Sequence, residues 1–571
     1  MATSGIVEAQ LRLPCDEARQ AVLQKHGTSS ALKRSSFIDL LRVPNRVTAY
    51  GGFEKTLPVN GIPLVRNREH WSAGEVAVET LVSNEALVLT LTARKTPVSA
   101  VHVRWTADVM PDLLALGDAW ERSYGELGWR NLRPERVMPW YFASNDGTVC
   151  HGYGVRTDAR ALCFWQLDPE GVSLWLNVTN GGDGVVLSGR RLVMATVACR
   201  RGHTGEDPFE GVRSLCRLLC ARASRPLVPV YGANDWCYSY GRSTSERILR
   251  DTEFTVGLSP GGDVRPFSVI DGGWENGTPR WPDMGRLADE IKQRKARPGI
   301  WVRPLEAPSG TARGLLLSDA RFGQAVGRAS ALAYDPTIPE AQQKIREKLH
   351  QLAGWGYEFV KHDFSTYDML GQWGFEMGPL PTIPGWALND RGRTNAEVIA
   401  ELYSLIREAV GGTILLDGCN TVAHLGQGIF DLQRTGDDTS GRQWERTRRM
   451  GVNTLAFRLP QHGTFFVVDP DVVGITESVP WEFNRQWLDV LAQSGAATLV
   501  SAGPQARRPE QMAALRDAFA VSSSGGRMSR PVDWMQTDTP ERWKESAGSH
   551  PAHECRYRWS GDDGVSPFLA P

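Results

Sequence analysis

Four short apolar runs in the second half of the chain each end in an aspartate. Phe267-Ser268-Val269-Ile270 runs into Asp271, and Phe359-Val360-Lys361-His362 runs into Asp363. Thr413-Ile414-Leu415-Leu416 runs into Asp417, and Phe465-Phe466-Val467-Val468 into Asp469. Helix-like stretches separate these runs. Short apolar segments divided by helices read as buried parallel strands with crossover helices. In a (β/α) barrel the carboxyl ends of the strands form one rim, and active sites are built there. Four aspartates on one rim make an acidic pocket, and carboxylates are costly to gather unless they meet hydroxyls, cations or protons. A polyhydroxylated substrate or a metal ion suits such a pocket.

A chain of 571 residues is too long for one core, so two or three domains are expected. Lys+Arg 64 against Asp+Glu 65 leaves a net charge of -1, which argues against a nucleic-acid partner. No apolar stretch is long enough to span a bilayer, so no membrane partner is expected. Met1-Ala2-Thr3-Ser4-Gly5 lacks a basic start and an apolar core, so no signal peptide is visible and a cytoplasmic location is expected. Nine cysteines without a zinc spacing read as reduced, mostly buried thiols. The 20 tryptophans serve either as core filler or as stacking faces for sugar rings.

Residues 1–35 are expected to form an N-terminal arm or helix, with 7–25 either an amphipathic helix or a loose arm. Residues 36–225 alternate with period two, as in Glu75–Val82 and Ala86–Thr92 with a turn at Asn84-Glu85, then Ala161–Trp165 and Val172–Val178. Gly181-Gly182-Asp183-Gly184 marks a hairpin or loop. This texture predicts an antiparallel β-sandwich. A helix over Pro208–Ala223 bridges to Arg225-Pro226-Leu227-Val228-Pro229, where two prolines forbid a helix. Residues 226–502 then read as a catalytic (β/α)8 TIM-like barrel. Its helices are expected at Ser245–Leu258, Gly285–Ala296, Ile338–Leu352, Thr394–Ala409, Arg442–Met450 and Trp481–Gln493, the fourth with a capping start at Thr394. Residues 503–571 carry one helix, Pro509–Phe519, and a small β region that includes Glu554–Trp559.

The second informative segment is Asp431-Leu432-Gln433-Arg434-Thr435-Gly436-Asp437-Asp438, where the sixth barrel strand should end. Adjacent carboxylates suppress each other's ionisation, so one of the two is expected to hold its proton. A protonated acid facing an ionised one is the equipment of retaining glycoside hydrolysis. The plain alternative is a solvated Asp-Asp turn with one residue as a helix cap.

These segments, in this order, resemble the clan of retaining α-galactosidases and raffinose synthases, above all the larger bacterial α-galactosidases with an N-terminal β-sandwich. Asn234-Asp235-Trp236-Cys237-Tyr238 resembles that clan's first barrel strand, and Ile270-Asp271-Gly272-Gly273-Trp274 its Asp-Asp-Gly-Trp strand end. Lys361-His362-Asp363 is similar to its Lys-Trp-Asp, Asp417-Gly418-Cys419-Asn420 to its Glu-Ser-Cys-Ser, and Arg434-Thr435-Gly436-Asp437-Asp438 to its Arg-x-Ser-Asp-Asp. Trp120-Glu121-Arg122-Ser123-Tyr124-Gly125 has the same flavour. The resemblance implies Asp363 as nucleophile and Asp437 as acid/base, with Asp438 as the competing choice. It also implies a carbohydrate substrate held by Asp271, Lys361, Asp417, Cys419, Arg434 and Asp438, with Trp236, Trp274 and Trp301 as walls. No cofactor and no metal are implied, and a homo-oligomer is left open.

Departures from the clan's pattern are specific. The paired aspartates of strand two are reduced to Asp271-Gly272, Asp235 and Cys237 differ from the usual residues, and Arg303 stands where an apolar or acidic stretch is expected, as a candidate substrate contact that would suit a substituted, acidic or different sugar. The activity implied is α-galactoside hydrolysis. Another sugar (N-acetylgalactosamine or β-L-arabinopyranose), transglycosylation and a non-catalytic carbohydrate-binding relative are the alternatives. A metal-dependent barrel hydrolase with His362, Asp363, Asp271 and Asp469 as ligands is a further one.

Overall fold

The computed structural model describes residues 36–83, 85–277, 279–325, 332–545 and 554–560. The expected arm over 1–35 and the turn residue Asn84 lie outside them.

The alternating half of the chain folds as two antiparallel sheets. One has six strands in the spatial order Met138–Pro139, Leu162–Asp168, Gly171–Asn177, Ala100–Thr106, Arg46–Glu54, Leu57–Pro63. The other has nine strands and is centred on Leu87–Thr92, Arg191–Arg200 and Cys150–Val155. Val76–Val82 pairs antiparallel with Leu87–Thr92, and its Val76, Val78 and Thr80 are buried while the residues between them are less so. That is the period-two signature of a half-buried strand. The sheets meet where Phe142 of one packs against Trp165 of the other, ring centroids 5.6 Å apart.

The helix expected to bridge, Pro208–Leu219, instead lies on the nine-stranded sheet. Gly152 and Gly154 make room for it, because a Cβ at either would come within 3 Å of Leu215 or Leu219.

From Tyr231 the chain becomes a parallel sheet. Its strands are Tyr231–Asn234, Phe267–Ile270, Arg297–Val302, Phe359–His362, Leu415–Gly418, Leu432–Arg434 and Val467–Asp469, each paired in parallel with the next. The seventh strand breaks at Pro470-Asp471 and resumes as Val472–Ile475. That second half pairs with the eighth strand, Thr498–Ala502, which pairs with the first. The two ends of the sheet are thus joined by two residues, and the strands come round as a TIM-like barrel.

Helices at Ser245–Leu258, Met284–Gln293, Pro339–Gly354, Asn395–Val410 and Trp481–Ser494 follow the expected spacing. Thr394 caps the fourth with a full capping box to Glu397. The single helix expected over Arg442–Met450 is instead three pieces. An α-turn at Trp444–Thr447 leads into a π-helical stretch Arg448–Asn453 and a short α-helix Thr454–Arg458. The Thr454 hydroxyl donates back to the Met450 and Gly451 carbonyls, which favours the widened turn. Helix Pro509–Ser523 and a three-stranded sheet of Arg530–Pro531, Arg542–Lys544 and Glu554–Arg556 complete the described chain.

Candidate functional site

Strand geometry decides what fills the barrel. Successive side chains on a strand point to opposite faces. Val269, Phe359, Leu415, Leu432, Val467 and Leu499 cluster as an apolar layer inside the barrel. Two residues further along five of these strands the same inward face carries Asp271, Lys361, Asp417, Arg434 and Asp469, so a polar layer sits on the apolar one. The outward residues Val360 and Leu416 belong instead to the core shared with the helices.

This parity assigns His362 to the helix side. Its buried ring makes edge contacts with Tyr403 and Phe430, and its Nε2 meets the Ser365 hydroxyl. Burial pushes its pKa down to about 3, so it is neutral at physiological pH. It faces away from the inward carboxylates, and the described residues contain no group of three or more His, Cys, Asp or Glu able to hold a metal ion. The metal-ligand set proposed from sequence does not assemble.

Asp363, one residue beyond the fourth strand, is buried and closely held. Its Oδ2 accepts the indole N–H of Trp301 at 2.9 Å, and its Oδ1 accepts the backbone amides of Phe364 at 2.7 Å and Asn420 at 3.0 Å. Phe364 stands at φ 64, a left-handed backbone that a bulky residue adopts only under constraint. Burial alone would push Asp363 up, but the charges of Arg122 and Lys361 and the Trp301 hydrogen bond outweigh it and hold the carboxyl below its ordinary value. The result is an ionised, oriented carboxylate.

Lys361 donates to Asp271 Oδ2 at 2.7 Å, and the Asn234 amide donates to the same oxygen at 2.8 Å. Asp235 accepts the Asp271 backbone amide at 2.8 Å, and burial with the Asp271 charge pushes its own pKa up to about 6.

Asp417 departs from expectation. It lies within its strand rather than at the rim, it is buried, and neither carboxyl oxygen finds a hydrogen-bond partner. Burial and the neighbouring Asp469 push it well above the ordinary carboxylate range, so it stays protonated in the polar layer beside Lys361.

More cations converge on the loop after the sixth strand than the sequence suggested. Arg434 is fully buried and reaches Asp471 at 3.1 Å, Asp438 at 3.3 Å and the Cys419 sulfur at 3.3 Å. Asp437 is clamped by two guanidiniums, Arg122 at 2.9 Å on one oxygen and Arg446 at 2.7 Å on the other. Burial raises Asp438, but Arg434 and Arg122 prevail and hold it down to about 2. Mutual repulsion of the Asp437-Asp438 pair is thus answered by arginines and not by a proton on Asp438.

The tryptophans divide. Trp301 binds Asp363 directly. Trp274 donates its indole N–H to the Trp301 carbonyl at 2.9 Å and packs its ring edge-on against Trp355. Trp236, half-buried, packs against Tyr240. Arg303 is committed to the buried Asp368 through two hydrogen bonds of 3.0 and 2.5 Å and covers the Phe364 ring. Its Nε and Nη2 are thereby taken up by Asp368.

Sequence reasoning undervalued Trp120–Gly125. This segment follows the strand Leu114–Gly117 of the nine-stranded sheet and enters the barrel mouth. The Ser123 amide donates to the Thr435 carbonyl at 2.9 Å, while Arg122 reaches Asp437 and Asp438 and sits 5.7 Å from the Trp373 ring. Trp373, packed on Phe364 and Tyr367, was not anticipated either. The only signal was an aromatic and charged hexapeptide far from the barrel in sequence. The eight described cysteines are free thiols, and no described helix is long and apolar enough to cross a membrane.

No family model matches the chain, and no curated protein matches it. Solved structures do. An α-galactosidase from Thermus thermophilus, in complex with p-nitrophenyl α-D-galactopyranoside, aligns over 90% of this chain and 99% of its own at 18% identity and a TM-score of 0.57. A GH36 α-galactosidase from Geobacillus stearothermophilus, in complex with 1-deoxygalactonojirimycin, aligns over 88% and 77% at 13% identity and 0.53. A GH31 sulfoquinovosidase from E. rectale, in complex with an aza-sugar inhibitor, aligns over 88% and 85% at 11% identity and 0.53. The chain has the fold of the α-galactosidase-like clan of glycoside hydrolases, a TIM-like barrel with a β-rich region.

Proposed function

We propose that this protein is a glycoside hydrolase that cleaves α-linked glycosides, with α-galactosides as the first choice, by double displacement. One observation carries the reading. At the end of the fourth barrel strand Asp363 is kept ionised by Arg122 and Lys361 and aimed by an indole and two backbone amides. A carboxylate fixed in this way is prepared for attack on an anomeric carbon.

Asp437, on the loop after the sixth strand, is the acid/base, and Arg122 acts on both carboxylates. Asp437 protonates the leaving oxygen and then takes a proton from the incoming water. In the free protein both its oxygens are ion-paired, so proton delivery requires the glycoside to displace Arg122 or Arg446. Lys361, Asp271 and Asp235 then offer a charged, hydrogen-bonding floor for sugar hydroxyls, and Trp301 and Trp236 offer faces. A different α-linked sugar, or a sugar acceptor in place of water, uses the same machinery.

A panel of nitrophenyl α-glycosides tests the reading, followed by proton NMR of the product anomer before mutarotation. Hydrolysis with the α-anomer formed first supports it. A β-anomer formed first refutes double displacement. The arginine clamp on Asp437 favours a second reading, a non-catalytic carbohydrate-binding relative. Binding of a free sugar with no turnover of any activated glycoside would select it.

A further inference from the structure

Asn420 is fully buried just past the fifth barrel strand, and all four of its polar groups are engaged. Its backbone amide donates to Asp363 Oδ1 at 3.0 Å, and its carbonyl accepts the Thr366 amide at 3.0 Å. The side-chain oxygen accepts the Tyr367 amide at 3.0 Å. Three of the four contacts thus go to the segment that bears Asp363. The fourth leaves the barrel altogether, since the Asn420 side-chain amide donates to Glu121 Oε2.

Glu121 arrives from the nine-stranded sheet, on the segment after Leu114–Gly117. It is 1% exposed. Its Oε1 accepts the Tyr124 hydroxyl at 2.7 Å and the Gly374 amide at 3.0 Å. No salt bridge to Glu121 occurs among the described residues; the adjacent Arg122 directs its guanidinium at Asp437 and Asp438 instead. A buried carboxylate without a direct ion-pair contact is expensive, and hydrogen-bond donors must compensate it. Here three donors do so, and one of them belongs to the residue that holds Asp363.

We propose that Glu121 is a positioning residue for the Asp363 carboxylate, acting through Asn420, so that the β-rich region sets the geometry of the barrel's nucleophile. The proposal rests on Asp363 being the nucleophile. Glu121 fixes the Asn420 side chain, the side chain fixes the peptide, and the peptide amide fixes one lone pair of Asp363. A catalytic group misplaced by about 1 Å can lose on the order of a hundredfold in rate.

The link is also sensitive to pH. Burial pushes Glu121 up to about 7, against the lowering effects of Arg122, the Tyr124 hydroxyl and the Gly374 amide. The groups facing it are Arg122 and Tyr124 on its own segment, Asp437 on the loop after the sixth strand and Tyr403 on helix Asn395–Val410. Ionised, Glu121 accepts all three donors. Protonated, one oxygen becomes a donor and the set no longer matches.

The experiment compares Glu121→Gln, Glu121→Asp and wild type on an activated nitrophenyl α-glycoside across pH 5 to 9, with melting temperatures as a fold control. The wild type should lose kcat on acidification with an inflection near the Glu121 value. Glu121→Gln should lower kcat by about tenfold to a hundredfold with little change in KM, and should lack that inflection. Glu121→Asp keeps the charge but shortens the reach, so it should lose kcat and keep the inflection. A kcat loss in Glu121→Gln with the wild-type pH profile means a merely structural role and overturns the proposal, as does wild-type kcat. A crystal structure of Glu121→Gln, or of Glu121→Asp if the first does not fold, reads the same coupling without substrate. An Asp363 carboxylate turned off the Asn420 amide supports it, and an unmoved one overturns it. Full activity in Asp363→Ala would sink the nucleophile assignment, and the crystallographic comparison would still decide the positioning.

Discussion

The Ser123 carbonyl accepts the Asp437 backbone amide at 2.9 Å. Together with the Ser123 amide bonded to Thr435, this forms a parallel bridge between Ser123 and Gly436. A segment from the antiparallel half of the chain is thereby stitched to the loop carrying the proposed acid/base. Gly436 permits the approach on its other side, since a Cβ there would lie 2.0 Å from the Met450 carbonyl oxygen. The barrel mouth is therefore built by two parts of the chain some 300 residues apart, and its chemistry is set where they touch.

Removing the proposed nucleophile gives the plainest test. Asp363→Ala should abolish turnover of an activated aryl glycoside and leave the fold intact, because the stepwise route needs a covalent partner. Near-wild-type turnover by that variant would sink the assignment.

Arg122→Ala should shift the acid limb of kcat/KM to higher pH. After burial, which raises it, the Arg122 charge is the leading influence on Asp363 and keeps it ionised. Without that charge Asp363 binds a proton more readily, and a nucleophile must be ionised. The variant should also lose about 3 kcal/mol of stability in urea denaturation, since Asp437 loses its buried guanidinium partner and keeps only the more exposed Arg446. An unmoved acid limb would show that Arg122 does not govern Asp363.

The acid/base assignment separates by leaving group. Asp437→Ala should lose about a hundredfold to ten-thousandfold on a natural glycoside and far less in glycosylation on a nitrophenyl one, which needs little protonation. Asp438 is held near 2 by Arg434 and Arg122 and is a poor proton donor. If Asp438→Ala shows the leaving-group selectivity and Asp437→Ala does not, the roles reverse.

Asp235→Asn should stabilise the fold at pH 8 and do little at pH 4. Burial raises the folded-state value of Asp235 to about 6, whereas an unfolded aspartate titrates near about 3.9. The folded state binds this proton more tightly, so the group favours folding below the unfolded value. That contribution is lost as pH rises through the folded one. The amide retains an acceptor for the Asp271 N–H and carries no charge. A gain of up to about 3 kcal/mol over wild type is expected at pH 8, measured by denaturant titration at both pH values. A difference that does not grow with pH would contradict it.

Addition of a chelator should leave turnover unchanged. His362 faces the helix layer, and the described residues assemble no metal-ligating cluster. Loss of activity on chelation, restored by a divalent cation, would reopen the metal reading.

Much of this was legible in the chain. The apolar runs into Asp271, Asp363, Asp417 and Asp469 specified parallel strands, because burial on both faces demands near-continuous apolar sequence. The helix Asn395–Val410 followed from its capping start at Thr394. Motif order brought Asp363 and Asp437 forward as a pair. Position along a strand was harder. The same pattern that put Asp363 at the rim put Asp417 there too, whereas Asp417 lies one layer deeper and is protonated. Side-chain parity was written in the chain, but the depth of each strand in the barrel depends on register with its neighbours.

What the sequence determined by itself was the local periodicity: which residues alternate, which turn, and which face inward. Tertiary structure alone decided the charge state and partners of the site. Arg303 was spent on Asp368, and Arg122 and Glu121 were delivered to Asp437 and Asn420. The physical reason is range. Periodicity is a property of neighbours in the chain, while ionisation depends on every charge within a few ångströms, and the fold brings those charges from anywhere along it.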